Sequence, residues 1–153
     1  TNTVWSVLDR VCLCALIVIP LGRLCNFYNG ELWGRVTSLS IGVIFEGADL
    51  NPRHPVQLYE AVLEGPGTAA VLAFLYYRMK IIIPGFIAAA YLTCYSLLRF
   101  FTEFTREPDR MVGFIADLFT VGQILCIAGV LLGGDGLRIV LMNKPAGFLR
   151  NLI

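Results

Sequence analysis

The chain has 153 residues, of which 57% are hydrophobic and only 15% charged, with a mean hydropathy of +0.72. A soluble domain is about 45–50% apolar and about 25% charged, so the composition points into a bilayer. The net charge is +1, with bases scattered among acids; that leaves no basic stripe for a nucleic-acid backbone to follow.

The first apolar run covers residues 4–21 and is interrupted by Asp9-Arg10. It does not read as a cleaved signal peptide, because Gly22 onward belongs to the working protein. Thr1 rather than Met opens the chain, which suggests a fragment or a processed product. A polar segment, residues 23–56, follows and is rich in turn formers such as Asn29-Gly30, Glu46-Gly47 and Asn51-Pro52. The second run, 58–77, carries Glu60, Glu64 and a Gly65-Pro66-Gly67 interruption that should kink or break a helix.

Arg78-Met79-Lys80 is a short basic connection. The third run, 81–98, has eighteen residues without a charge and continues through Arg99 to Phe101. After a polar bend at 105–110, the fourth run spans 111–132 with Asp117 as its single acid, expected to pair with a base inside the bundle. Gly133-Gly134-Asp135-Gly136 closes it, and a tail with Arg138, Lys144 and Arg150 is expected to lie on the membrane surface.

Spanning a bilayer takes about 20 apolar residues per helix. The expected fold is therefore all-α, a polytopic membrane bundle of about four transmembrane helices with a polar segment between the first two. Residues 1–136 form the membrane domain and 137–153 a basic, apolar tail. With four spans, segment 23–56 and bend 105–110 share one side, while residues 78–80 and the tail share the other. The second side carries bases with few acids, so the positive-inside rule makes it cytoplasmic.

The five cysteines, at 12, 14, 25, 94 and 126, include no CxxC pair, and His54 is the sole histidine. Core packing accounts for the cysteines better than a metal or redox site. Trp5, Trp33 and Tyr28 read as interfacial anchors.

Polar constellations stand out against this background. An arginine at a membrane edge needs an anion or a carboxylate, and an arginine fork grips a phospholipid phosphate at two points. Arg23 and Arg35 sit in such a place, with Asn26, Asn29 and Glu31 between them. Tyr95, Arg99, Glu103 and Arg106, spaced by four, four and three, fall within roughly 80° of arc on a helix. Arg99 therefore faces either Glu103 in a structural ion pair or a phosphate. Gln57, Glu60 and Glu64 share another face, and the two carboxylates are expected to orient the arginines. His54, between Arg53 and Pro55, is either a general base or a cap at the start of a helix.

Taken together, these strings resemble the prolipoprotein diacylglyceryl transferase family. Its signature reads approximately G-R-x-G-N-F-x-N-x-E-x-x-G-R, and residues 22–35 match it except at Cys25, where the family has glycine. Further likenesses are Pro52-Arg53-His54-Pro55 with Gln57-Leu58-Tyr59-Glu60, Arg99-Phe100 with Glu103-Phe104 and Arg106-Glu107-Pro108-Asp109, and Gly122-Gln123-Ile124-Leu125. The resemblance covers about residues 8 to 130.

It implies a multi-pass enzyme of the bacterial inner membrane with an extracytoplasmic active face and neither metal nor organic cofactor. Such an enzyme moves the diacylglyceryl group of phosphatidylglycerol onto the lipobox cysteine thiol of a prolipoprotein signal peptide. Carried over by position, Arg23 and Arg99 hold the phosphatidylglycerol head group, with Asn29 and Gly34 in the same binding role. Asn26, Glu31, Tyr95 and Glu103 complete the catalytic set, with His54 as the available base. The family also has helices ahead of the point where this chain begins, carrying a histidine motif. Two alternatives follow: a truncated lipid-binding relative without turnover, and a subunit that needs a separate N-terminal half.

Overall fold

The computed structural model describes residues 2–79, 83–107, 114–115 and 119–143. They form a helical bundle of α1 (Asn2–Tyr28), α2 (Val56–Val62), a π-turn (Leu63–Gly67), α3 (Thr68–Met79), α4 (Phe86–Thr102) ending in a 3-10 turn (Glu103–Thr105), and α5 (Val121–Met142). Among the described residues, three stretches are long and apolar enough to cross a membrane: Val4–Tyr28, Val56–Met79 and Val121–Met142. The fourth member, α4, has 17 residues, about 26 Å at the helical rise of ~1.5 Å per residue. Ile17, Val18, Leu131 and Leu132 remain 64–68% exposed, which suits side chains whose solvent is lipid.

Several boundaries move from where the apolar runs put them. Helix α1 continues through Gly22-Arg23-Leu24-Cys25-Asn26-Phe27-Tyr28 instead of ending at Leu21. It stops at Gly30, whose φ of +66° supplies the left-handed turn that closes a helix. The fourth span is shifted: residues 114–115 and 119–120 pair as short strands β1 (Phe114–Ile115) and β2 (Phe119–Thr120), and α5 begins only at Val121. Thr120 and Gln123 form a capping box there, each side chain bonded to the other's backbone N–H at 3.1 and 3.0 Å. Asp117 and residues 144–153 lie outside the described residues.

Nor do the glycines at 133–136 close the span; α5 runs through them to Met142. The reason is packing. A Cβ on Gly133 would meet the Thr93 backbone nitrogen at 2.7 Å and the Ala89 carbonyl at 3.0 Å, and one on Gly129 would strike Ser96. Small residues four apart let the backbones of α4 and α5 approach closely, which is how membrane helices associate.

The Gly65-Pro66-Gly67 interruption is a π-turn inside a continuous span, not a break. Glu60, Glu64, Thr68 and Leu72 are all buried, at every fourth residue. An α-helix of 3.6 residues per turn would rotate that series by about 40° at each step; one wide turn absorbs the surplus residue. Gly65 is required beside it, because a Cβ there would enter the ring of Pro20 on α1.

Leu72, Ala90 and Tyr91 form the apolar centre, packed by Leu16 and Ile19 of α1. Of the cysteines, Cys126 is buried and Cys12 and Cys94 partly so, whereas Cys14 and Cys25 are exposed, so core packing explains only the first three.

Gly133→Val should lower stability by about 1–3 kcal/mol through overpacking. Gly134→Ala, where a Cβ meets nothing within 4 Å, should raise it by about 0.5–1 kcal/mol. Thermal unfolding in detergent micelles, followed by circular dichroism, measures both.

Candidate functional site

At one end of the bundle, four segments deliver charged side chains to one point. Glu60 and Glu64 come from α2 and the π-turn and have no solvent exposure. Arg23, from the last turns of α1, reaches Glu60 at 3.1 Å and Glu64 at 3.2 Å. Arg99, from the last turn of α4, pairs with Glu60, lies 3.6 Å from Glu64 and holds Glu103 at 3.1 Å. Arg106, just past the 3-10 turn, meets Glu60 at 3.2 Å.

Three guanidiniums thus balance three carboxylates. The arginine side chains are 13–17% exposed, while Glu60 and Glu64 are sealed. The carboxylates form the sealed side of the cluster, and the arginines keep its only residual exposure among these six side chains apart from the 7% of Glu103. Tyr95 stacks on Tyr91 with ring centres 5.7 Å apart. Glu103 also accepts from the Thr120 hydroxyl at 3.1 Å, which ties the start of α5 to the cluster.

Residues 29–56 cap this end. Asn29 donates to Glu31 at 3.3 Å, Glu31 N–H bonds the Asn26 carbonyl at 3.0 Å, and Gln57 donates to the Glu31 carbonyl at 2.6 Å. Gly34 is pinched between two chains: its N–H bonds the His54 carbonyl at 3.0 Å, and a Cβ would lie 2.6 Å from the Thr105 carbonyl. This accounts for a glycine at 34 by backbone approach. Leu32 has a φ of +56°, a left-handed conformation unusual for a branched side chain. It sits beside Glu31, whose backbone is held on both sides.

His54 lies 3.3 Å from the Tyr59 hydroxyl through Nδ1, with the rings edge to face. The structure therefore brings Arg23, Arg99, Tyr95 and Glu103 together, gathers Asn26, Asn29, Glu31 and Gly34 into the adjoining turn, and gives His54 a tyrosine partner instead of a place in the ion cluster. The expected orienting role of Glu60 and Glu64 agrees with this geometry.

Arg53, given no role by the Pro52-Arg53-His54-Pro55 string, ties the cap together. It bonds Asp49 twice, at 3.0 and 3.1 Å, the Gly34 carbonyl at 3.1 Å and Glu107 at 3.3 Å. Its signal was an acid four residues ahead in a turn-rich segment. Those bonds, helped by Asn51, hold the Asp49 carboxyl down to about 2 from an ordinary 3.8. Nearby, the Arg35 side chain donates to the Arg106 carbonyl at 3.0 Å.

Glu60→Gln should cost about 3–5 kcal/mol, because it strips the shared counter-charge from buried arginines; thermal unfolding in micelles reads the loss. A depressed acid lends stability that is complete above its unfolded value and disappears as pH falls through its folded one. The contribution of Asp49 to the cap should therefore stay constant from pH 7 to about 4 and fall away between 3.8 and about 2. Trp33 fluorescence in a Trp5→Phe background follows it, since Trp33 stacks on Phe45 within the cap.

The family described as prolipoprotein diacylglyceryl transferase matches residues 1–138. A Rickettsia canadensis (strain McKiel) protein named phosphatidylglycerol–prolipoprotein diacylglyceryl transferase is 44% identical over 131 residues, covering 85% of this chain and 51% of that one. Proteins of the same name from Rickettsia bellii (strain OSU 85-389) and Sinorhizobium medicae (strain WSM419) are 49% identical over 121 residues and 43% over 132. The first alignment covers 76% of this chain and 46% of the relative, the second 85% and 47%. The chain spans about half the length of these curated relatives, and no solved structure matches it. The match over residues 1–138, with relatives sharing more than two-fifths of their aligned residues, shows that the chain belongs to the prolipoprotein diacylglyceryl transferase family.

Proposed function

We propose that this chain carries the phosphate-binding end of an enzyme that transfers the diacylglyceryl group of phosphatidylglycerol to the lipobox cysteine thiol of a prolipoprotein signal peptide. The observation that carries the reading is the meeting of Arg23 and Arg99, from two different helices, over the same two buried carboxylates. Both guanidiniums retain partial exposure, 17% and 14%, through which one phosphate would reach them.

In the reaction, the cysteine sulfur attacks the glycerol carbon that bears the phosphate. A carbon–sulfur bond forms, the carbon–oxygen bond breaks, and glycerol phosphate leaves with that oxygen. The thiol proton passes to a base or to the departing phosphate. Negative charge grows on the phosphate as the bond breaks, so the arginines stabilise the transition state more than the bound lipid. Only the thiolate is an effective nucleophile, and His54, partnered by Tyr59, is the titratable group of this chain suited to accept its proton. Asn26, Asn29, Glu31 and Gly34 shape the adjoining wall, with Tyr95 and Glu103 fixing the arginines. No metal or organic cofactor enters these steps.

A groove between α4 and α5 suits an acyl chain. It has a volume of about 210 Å³ and is lined by Leu97, Phe100, Cys126, Ile127, Val130 and Leu131. The positive-inside rule puts Arg78 and the basic tail in the cytoplasm, so the cluster faces the outer side of the bacterial inner membrane. On this reading residues 1–136 are the transferase unit and 137–153 the cytoplasmic tail, which begins as the end of α5.

The test supplies the full chain in phosphatidylglycerol vesicles with a lipobox peptide and measures thioether product by mass spectrometry. Arg23→Lys and Arg99→Lys should each lower kcat/KM by about 10²–10³, the loss typical of one preorganised charge-stabilising group. Turnover at the parent rate in both variants overturns the assignment. Lipid retention that depends on Arg23, without any product, would mean binding without transfer.

A further inference from the structure

Helices α1 and α4 run in the same direction and are joined at both ends. At the functional end Arg23 and Arg99 share Glu60 and Glu64. At the opposite end, Asp9 of α1 accepts from the Gly85 N–H through Oδ2 and from the Ala88 N–H through Oδ1, each at 2.8 Å. A helix start leaves several N–H groups unsatisfied, and α4 supplies no side-chain cap of its own, because its N-cap is Gly85. The carboxylate that α4 lacks comes instead from α1, where it also suits the positive end of the helix dipole.

The fit around Gly85 is specific. Its φ is +92°, and a Cβ there would meet the Trp5 ring at 3.3 Å. Trp5 lies one turn before Asp9, so α1 both bonds the start of α4 and packs on it.

The two joints are also matched in length. Asp9 and Arg23 are fourteen residues apart on α1, and Gly85 and Ala88 precede Arg99 by fourteen and eleven. At the helical rise these are about 21 Å and about 17–21 Å. Between the joints the helices touch through apolar side chains such as Leu16, Ile19, Ala90 and Tyr91. Such contacts are non-directional and do not fix how far one helix slides or turns against the other.

We propose that Asp9 is a positioning residue for Arg99: by gripping the first turn of α4 it sets the height and rotation at which Arg99 meets Arg23 across the phosphate site. The need is steep, because a misplacement of about 1 Å can cost ~10²-fold in rate. The activity arm of this inference rests on the transferase reading; the structural arm does not.

The experiment makes Asp9→Asn and Asp9→Glu in the full chain, reconstituted in phosphatidylglycerol vesicles. Asp9→Asn keeps the shape but loses the charge and one acceptor. Its kcat should fall about tenfold or more with the KM for lipobox peptide unchanged, and Asp9→Glu should recover part of the loss. Hydrogen exchange should quicken in two separate places, the first turn of α4 and its last turn around Arg99. Exchange that quickens only at residues 85–89, or a kcat equal to the parent's, overturns the proposal. If the parent itself yields no thioether product, the transferase reading fails, and the exchange pattern alone decides the role of Asp9.

Discussion

Two carboxylates with no access to solvent, Glu60 and Glu64, constrain much of the architecture. A buried carboxylate is several kcal/mol out of balance until cations reach it. The arginines that pair with them, Arg23, Arg99 and Arg106, lie 35 or more residues away in sequence, so α1, α4 and the segment after α4 all converge on α2 and the π-turn to supply them. The bundle and the site are therefore one solution to one electrostatic problem. Removing a single partner exposes the others to a low-dielectric interior, and the cluster behaves as a unit instead of as separable bridges.

The same economy governs the cap. Arg53 holds Asp49, the Gly34 carbonyl and Glu107 together, and Gly34 leaves room for the Thr105 and His54 backbones to close in. The cap thus locks the polar turn after α1 to the end of α4. A ligand reaching the arginines meets a wall built from both.

Much of this was legible in the residues. The arc of Tyr95, Arg99, Glu103 and Arg106 follows from helical spacing, and so does the shared face of Glu60 and Glu64; the structure joins the two faces. What was not legible depended on neighbours. Residues 22–28 look like a loop because they are polar, yet polar side chains stay helical when distant carboxylates and backbone groups satisfy them. Gly133 to Gly136 look like a stop because glycine weakens an isolated helix, yet against α4 the missing side chain is what permits contact. The capping of α4 by Asp9 and the Arg53 lock link positions 76 and 54 residues apart, and no local pattern announces either. The strand pair at 114–120 was hidden inside an apolar run.

The π-turn gives the second span an exact count. Burial at 60, 64, 68 and 72 exists only while one surplus residue is stored between Leu63 and Gly67. Losing it would turn everything downstream by about 100°, swinging Leu72 toward lipid while Glu60 stayed in place. A substitution at Leu63 can be absorbed by repacking, but a one-residue deletion cannot. Length is thus as firmly fixed in this stretch as the identities of Glu64 and Gly65.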